Sequence, residues 1–321
     1  MALSESELIT RYFRNCGAQR RDVTLGVGDD AALLECPHGM QLVAATDTLV
    51  AGVHFPNAVP AATIGHRALA VNLSDLAAMG ARPAWALLAL TLPEADEQWL
   101  AEFAAGLGAL ARAHDVALIG GDTTRGPLTV TVQLLGHVPH GRALTRAGGR
   151  GGDLLYVSGS PGDAGAGLAI EQGRLAAPPE AAGYLRERFL LPTPRVALGE
   201  RLREYARACI DVSDGLLGDA GKLAAASGVG LEISFEALPV SPQLTQTLGA
   251  EAARELALTA GDDYELLFAV DPARAAELER ELPPSQWNFR HIGALRAAHG
   301  AVVTRAGTVM EFSHSGYRHF A

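Results

Sequence analysis

The chain has 321 residues, 48% of them hydrophobic, and a formal net charge of −10. That length suits two domains of roughly 150 residues each, and the acidic balance argues against a nucleic-acid or acidic-membrane binder, which would carry a basic stripe. Lys222 is the single lysine, so any phosphate must be met by arginine or by a metal ion. Cys16, Cys36 and Cys209 are scattered, which suggests neither a disulfide framework nor a zinc site and favours a reducing, cytoplasmic setting. The first residues carry Glu5, Glu7, Arg11 and Arg14 in place of an apolar run, and no later stretch reaches about 18 uninterrupted apolar residues, so neither secretion nor membrane spanning is expected.

In chain order, Ser4-x-x-Glu7 reads as a capping box opening a short amphipathic helix. A strand over 23–27 runs into Gly28-Asp29-Asp30, and Met40–Ala45 reads as the next strand. A helix from about Thr63 to Gly80 follows, with Leu69, Leu73 and Leu76 on one stripe and Ala68, Asn72 and Asp75 on a line beside it. Trp85–Leu92 is a strand, 94–114 a helix, Val116–Ile119 a strand ending in Gly120-Gly121-Asp122, and Leu128–Val138 a Thr/Val-alternating strand. Composition changes at Arg146-Ala-Gly-Gly-Arg-Gly-Gly-Asp153, which reads as a linker and sets domains of 1–147 and 148–321. The second part reads as the strand Leu154–Ser158, a Gly-rich turn over 159–167, helices to about Tyr205, the strand Ala208–Val212 ending in Ser213-Asp214-Gly215, and the helix Leu217–Ala226. A strand over 230–235, the turn Ala260–Asp263, the strand Tyr264–Val270, a charged helix over 272–282 and short strands near 289–295 and 301–304 complete it. Alternating strands and helices of mixed length predict an α/β (α+β) protein.

The chemistry concentrates in acids that follow apolar strands or sit beside glycine: Asp29, Asp30, Asp47, Asp122, Asp211, Asp214 and Asp219, with Asp75 on its helix. Carboxylates brought together repel unless cations neutralise them, and an oxygen-only set completed by water and phosphate describes Mg²⁺. For any single acid the competing reading is an ordinary turn residue or a solvated helix face. Gly26-x-Gly28-x-x-Ala31 imitates a dinucleotide fingerprint, but two adjacent carboxylates would oppose a pyrophosphate there. No Walker A motif is present, and one late lysine excludes the kinase Lys–Glu pair, so phosphoryl transfer would rest on Mg²⁺ and arginine. Arg146 is the first candidate for nucleotide phosphates.

Gly28-Asp29-Asp30, Thr46-Asp47-Thr48, His54-Phe55, Asn72–Gly80, Gly120–Thr123, Asp211–Gly215, Gly261–Leu266 and Gly316–Phe320 together resemble the thiamine-monophosphate kinase family. The resemblance covers the whole chain in order. It implies the two-domain fold shared with aminoimidazole ribonucleotide synthetase and selenophosphate synthetase, with an N-terminal mixed sheet and helices, a C-terminal α/β domain that completes the active site, and a homodimer formed through the N-terminal domains. The implied activity is ATP-dependent phosphorylation of thiamine monophosphate to thiamine diphosphate. It assigns Asp30, Thr46, Asp47, Asp75, Asp122, Asp211 and Asp214 to several Mg²⁺ ions, Gly121, Arg146 and Ser213 to ATP, and His54, Asp262 and Tyr317 to thiamine phosphate. Two departures stand out: Ala45 where relatives can carry Ser, and Asp262 where they often carry Glu. The alternatives are a sister synthetase or a nucleotide-binding maturation scaffold; Cys16 fits selenium chemistry badly, and the chain lacks the C-terminal cysteine of the scaffold.

Overall fold

A computed structural model describes residues 5–312 and 314–317. Ser4 of the predicted cap and Arg318–Phe320 of the aromatic tail lie outside them. The chain divides into two compact units: residues up to Leu76 with Ala81–Arg142, and Ala77–Gly80 with everything from Ala143.

The first unit opens with α1 (Glu5–Leu8), which continues as one π-turn over Ile9–Phe13. β1 (Val23–Leu25) and β2 (Leu33–Leu34) form a small antiparallel pair. There follow β3 (Met40–Val50), α2 (Ala61–Ala78), β4 (Arg82–Leu92), α3 (Glu97–Ala113), β5 (Ala117–Arg125) and β6 (Thr129–Pro139). The four long strands make a mixed sheet in the order β3-β6-β4-β5, parallel only between β4 and β5. Strand alternation sorts the faces. Val130, Val132 and Leu134 of β6 are buried, while Thr131 and Gln133 point into an open cleft. Leu69 of α2 and Leu107 of α3 meet Leu88 and Val132 on the buried face. The Asp96 carboxylate caps α3 by accepting from the N–H groups of Gln98 and Trp99.

Two strands run further than their sequence suggests. β3 continues through Ala45–Val50, and β5 continues through Gly120-Gly121-Asp122 to Arg125. Asp47 and Asp122 therefore lie within strands and do not follow them. The cause is pairing: β6 matches β3 residue for residue from Met40 to Val50, and β4 carries β5 to Arg125 past one register shift at Ala86/Leu87. Partner strands supply backbone hydrogen bonds that outweigh the weak strand propensity of Asp and Gly.

The second unit contains β7 (Leu154–Ser158), α4 (Asp163–Glu171), α5 (Pro179–Leu190), α6 (Val196–Leu202), β8 (Ala206–Val212), α7 (Leu216–Ser227) and β9 (Gly230–Ser234). It goes on with α8 (Pro242–Leu248), α9 (Ala250–Thr259), β10 (Glu265–Val270), α10 (Pro272–Glu281), α11 (Pro284–Trp287), β11 (Phe289–Arg296), β12 (Ala301–Arg305) and β13 (Thr308–Met310). Seven strands form one sheet, β13-β12-β9-β11-β7-β10-β8, antiparallel except between β12 and β9. Every residue of β10 is buried, as expected of a strand covered on both faces. One face packs on Leu216, Ala220 and Leu223 of α7. Ala166 of α4, Leu185 of α5, Leu244 of α8 and Ala253 of α9 form a separate apolar cluster.

The glycine-rich stretch after Arg146 is laid along this unit: the Cys209 N–H donates to Thr145 O, the Gly149 N–H to Ser227 Oγ, and Ser227 Oγ to Arg146 O. The predicted Gly-rich turn over 159–167 ends early, because α4 begins at Asp163 and its Gly/Ala composition conceals a helix. Among the described residues, no helix is long and apolar enough to cross a membrane.

Candidate active site

In the first unit a cleft of about 1150 Å³ lies against the open sheet face. Asp30, Thr46, Gly121 and Asp122, four of the predicted site residues, line it. Asp30 sits in a turn whose geometry is held by its own N–H donating to the Asp29 carboxylate at 2.8 Å. The Thr46 hydroxyl donates to Val132 O at 3.2 Å, which fixes its oxygen at the β3–β6 seam. Gly121 has φ 148°, and a Cβ there would lie 1.8 Å from Leu88 O. The position excludes any side chain, so β5 shows bare backbone beside the exposed Asp122 carboxylate.

Asp47 follows Thr46 on β3, and the pleat turns it to the opposite face. There its carboxyl is within hydrogen-bonding reach of Asp75 on α2, with the charge of His54 also acting on it. Burial raises the Asp47 pKa, while the hydrogen bond from Asp75 and the His54 charge pull it back. Two acids sharing one hydrogen bond in a half-buried position is a donor set that suits a divalent cation with oxygen ligands. His54 accepts the Val50 N–H on Nδ1 at 3.0 Å, so its neutral form carries the proton on Nε2. Phe55, the next residue, is 2% exposed and belongs to the core. Asn72, one turn before Asp75, is fully buried and donates from Nδ2 to Ala68 O.

In the second unit three segments meet: the turn Ser213–Gly215 after β8, the segment Gly261–Tyr264 before β10, and Gly316–Tyr317. The Asp262 N–H donates to Ser213 O, the Tyr264 N–H to Val212 O and the Tyr317 N–H to Asp214 O, each at 2.8 Å. Ser213, Asp214, Asp262 and Tyr317 are thereby gathered at one end of the sheet. Asp211 is 5% exposed on β8, opposite Leu266 of β10. Asp214 is ion-paired with Lys222, which also binds Asp219 at 2.7 Å. Asp219 is 1% exposed and accepts from the N–H groups of Ser213, Asp214 and Gly215, so it holds the turn. Arg146 is exposed, with its carbonyl held by Ser227.

Among the described residues, no group of three or more His, Cys, Asp or Glu side chains is close enough to hold a metal ion. The predicted Mg²⁺ set is distributed: Asp30, Thr46 and Asp122 on the cleft, Asp47 with Asp75 on the other face of β3, and Asp211 and Asp214 in the second unit. Sequence reasoning missed the buried acids Asp163, Asp263 and Glu265, all 0% exposed. Glu265 takes Arg195 in a two-point ion pair at 2.6 Å, Arg188 at 2.7 Å and the Ser158 hydroxyl at 2.5 Å. The signal available was an acid beginning an otherwise apolar strand, Glu265-Leu-Leu-Phe-Ala-Val270.

The two units correspond to the two domains of the AIR synthase related proteins. Residues 28–138 match the N-terminal domain of the AIR synthase related proteins, and residues 150–305 match the C-terminal domain. Thiamine-monophosphate kinases of Salmonella typhimurium and Escherichia coli are 47% and 48% identical to it over 323 aligned residues, spanning 100% of this chain and 99% of each relative. The crystal structure of thiamine-monophosphate kinase from Stenotrophomonas maltophilia superposes with TM-score 0.84 at 48% identity, covering 91% of this chain and 93% of that one. AaThiL complexed with AMPPCP and TMP superposes with TM-score 0.79 at 32% identity over 92% of both chains. The hydrogenase maturation protein HypE, at 20% identity and TM-score 0.75, shares the fold. The chain belongs to the thiamine-monophosphate kinase family.

Proposed function

We propose that this protein transfers the γ-phosphoryl group of ATP directly and in line to a phosphate oxygen of thiamine monophosphate, giving thiamine diphosphate and ADP. The observation that carries this reading is the Asp47–Asp75 carboxyl pair, an arrangement that calls for a cation, in a chain related over its full length to thiamine-monophosphate kinases. The relative complexed with AMPPCP, an ATP analogue, and TMP supports the same pair of substrates.

Asp30, Thr46, Asp47, Asp75, Asp122, Asp211 and Asp214 are the oxygen donors that would hold Mg²⁺. When bound, the metal offsets repulsion between two phosphorylated substrates. The attacking oxygen is already anionic, so the chain need supply no general base; its task is positioning and charge balance. The bare backbone at Gly121, the Arg146 guanidinium and the Ser213 turn serve the nucleotide. His54 offers a polar edge, Tyr317, 50% exposed, a ring for stacking, and Asp262 an acceptor for an amino group. A homodimer in the cytoplasm belongs to the same reading, and the exposed apolar residues Leu33, Met40 and Leu42 of β2 and β3 support association through the first unit.

The test is product analysis. ATP and thiamine monophosphate should give thiamine diphosphate and ADP only with Mg²⁺ present. AMP or free phosphate as the main product would reject direct transfer, and ATP binding without turnover of any small acceptor would favour the maturation-scaffold reading.

A further inference from the structure

The segment Gly261–Tyr264 is held from both sides. Asp262 and Tyr264 both have left-handed backbone, φ 71° and 52°, a conformation that non-glycine residues adopt only when their surroundings enforce it. On one side the enforcement is backbone contact. A Cβ at Gly261 would stand 2.5 Å from Ser213 O, and the N–H groups of Asp262 and Tyr264 are spent on the end of β8. On the other side it is the residue between them. Asp263 is 0% exposed, and its carboxylate accepts the Gly162 N–H at 2.7 Å and the Ala164 N–H at 3.2 Å, at the start of α4. The following strand is anchored too, because Ser158 Oγ donates to Glu265 and accepts the Leu266 N–H.

Burying a carboxylate for two backbone hydrogen bonds is a costly way to fasten a loop that only connects a helix to a strand. The outcome suits a binding element: Asp262 stays partly exposed, and its carboxylate is steadied by the Tyr264 hydroxyl at 3.2 Å. We propose that Asp263 is a positioning residue for the thiamine phosphate subsite, clamping the 261–264 segment to the start of α4 so that Asp262 is presented to the substrate in one fixed orientation. The clamp rests on the reading of Asp262 as a substrate contact.

Steady-state kinetics of the full-length protein test it. Asp263→Asn keeps the shape but turns one acceptor into a donor that faces an N–H. KM for thiamine monophosphate should rise about tenfold, with kcat and the KM for ATP within about twofold, and amide hydrogen exchange at Asp262 and Tyr264 should quicken. A lowered melting temperature with unchanged KM, or equal losses for both substrates, would overturn the clamp. If Asp263→Asn does not fold, Asp263→Ser carries the test, since its shorter, uncharged side chain loosens the same contact with the start of α4. A threefold or larger rise in KM for thiamine monophosphate supports the proposal and an unchanged KM overturns it. Asp262→Asn separates the two claims. Normal kinetics there would remove Asp262 from the substrate, whereas impaired Asp262→Asn beside normal Asp263→Asn would remove only the clamp.

Discussion

Asp47 and Asp219 look alike in sequence, each an acid among small and apolar residues, yet the structure gives them opposite work. Asp219 spends its carboxylate on three backbone N–H groups and Lys222. Asp47 meets a second acid, Asp75, and burial holds its pKa above the usual range. An acid that caps is satisfied within the fold, whereas paired acids cost stability until a cation arrives. Acids such as Asp47, Asp75 and Asp219 were legible because apolar neighbours are poor company for a carboxylate; which of them cap and which pair was not, and Asp163, Asp263 and Glu265 went unnoticed, since partners such as Gly162, Gly215 and Arg195 are distant or uninformative in sequence. Asp75→Asn should therefore abolish turnover while leaving the fold intact. In the absence of metal its melting temperature should match or exceed that of the unsubstituted protein, and the rise in melting temperature on adding Mg²⁺ should shrink. Activity close to normal would take Asp75 out of the site.

At the scale of elements, α2 carries Asp75, so its seating decides where that carboxylate lies. A Cβ at Gly65 of α2 would fall 2.2 Å from Phe103 O, and one at Gly106 of α3 would fall 1.9 Å from Ala62 O. The two helices thus touch backbone to backbone, with no room for a methyl group from either side. Periodicity made both helices legible, because Leu69, Leu73 and Leu76, like Leu100, Phe103 and Leu107, recur at helical spacing. It did not reveal the close crossing, since a glycine inside a helix usually signals only weaker propensity. It also stopped β3 and β5 short, because their continuation depends on β6 and β4 and not on their own residues. Gly106→Ala, which improves helix propensity, should nonetheless destabilise the protein by about 1–3 kcal/mol through overpacking. Urea unfolding measures this, and a gain in stability would show that the helices part without cost.

At the scale of the whole molecule, buried ionisation makes stability depend on pH, and the second unit supplies the groups. Asp163 heads α4, fully buried, with Ser241 Oγ donating at 2.6 Å and the Tyr184 hydroxyl at 3.1 Å. Burial pushes its pKa up to about 6; the two hydroxyls and nearby Arg188 oppose the shift, and Glu265 adds to it. An acid with a raised native pKa binds more protons folded than unfolded between pH ~4 and ~6. Its effect is a loss of stability as pH rises through that window, levelling above about 6. A shift from 3.8 to about 6 corresponds to roughly 3 kcal/mol. Burial raises Asp263 as well, so it acts in the same direction. Glu265 runs the other way: Arg195 and Arg188 outweigh its burial and lower its pKa, so its contribution is present above the ordinary Glu range and is lost as pH falls through the lowered value. Total stability mixes these opposing slopes, and a difference between two proteins isolates one of them. Asp163→Asn keeps the shape of the side chain but cannot ionise. Urea unfolding at pH 5 and pH 7.5 should show the unsubstituted protein losing about 1–1.5 kcal/mol more than the variant over that interval. A difference between them that stays constant with pH would mean that Asp163 titrates alike in the folded and unfolded chain.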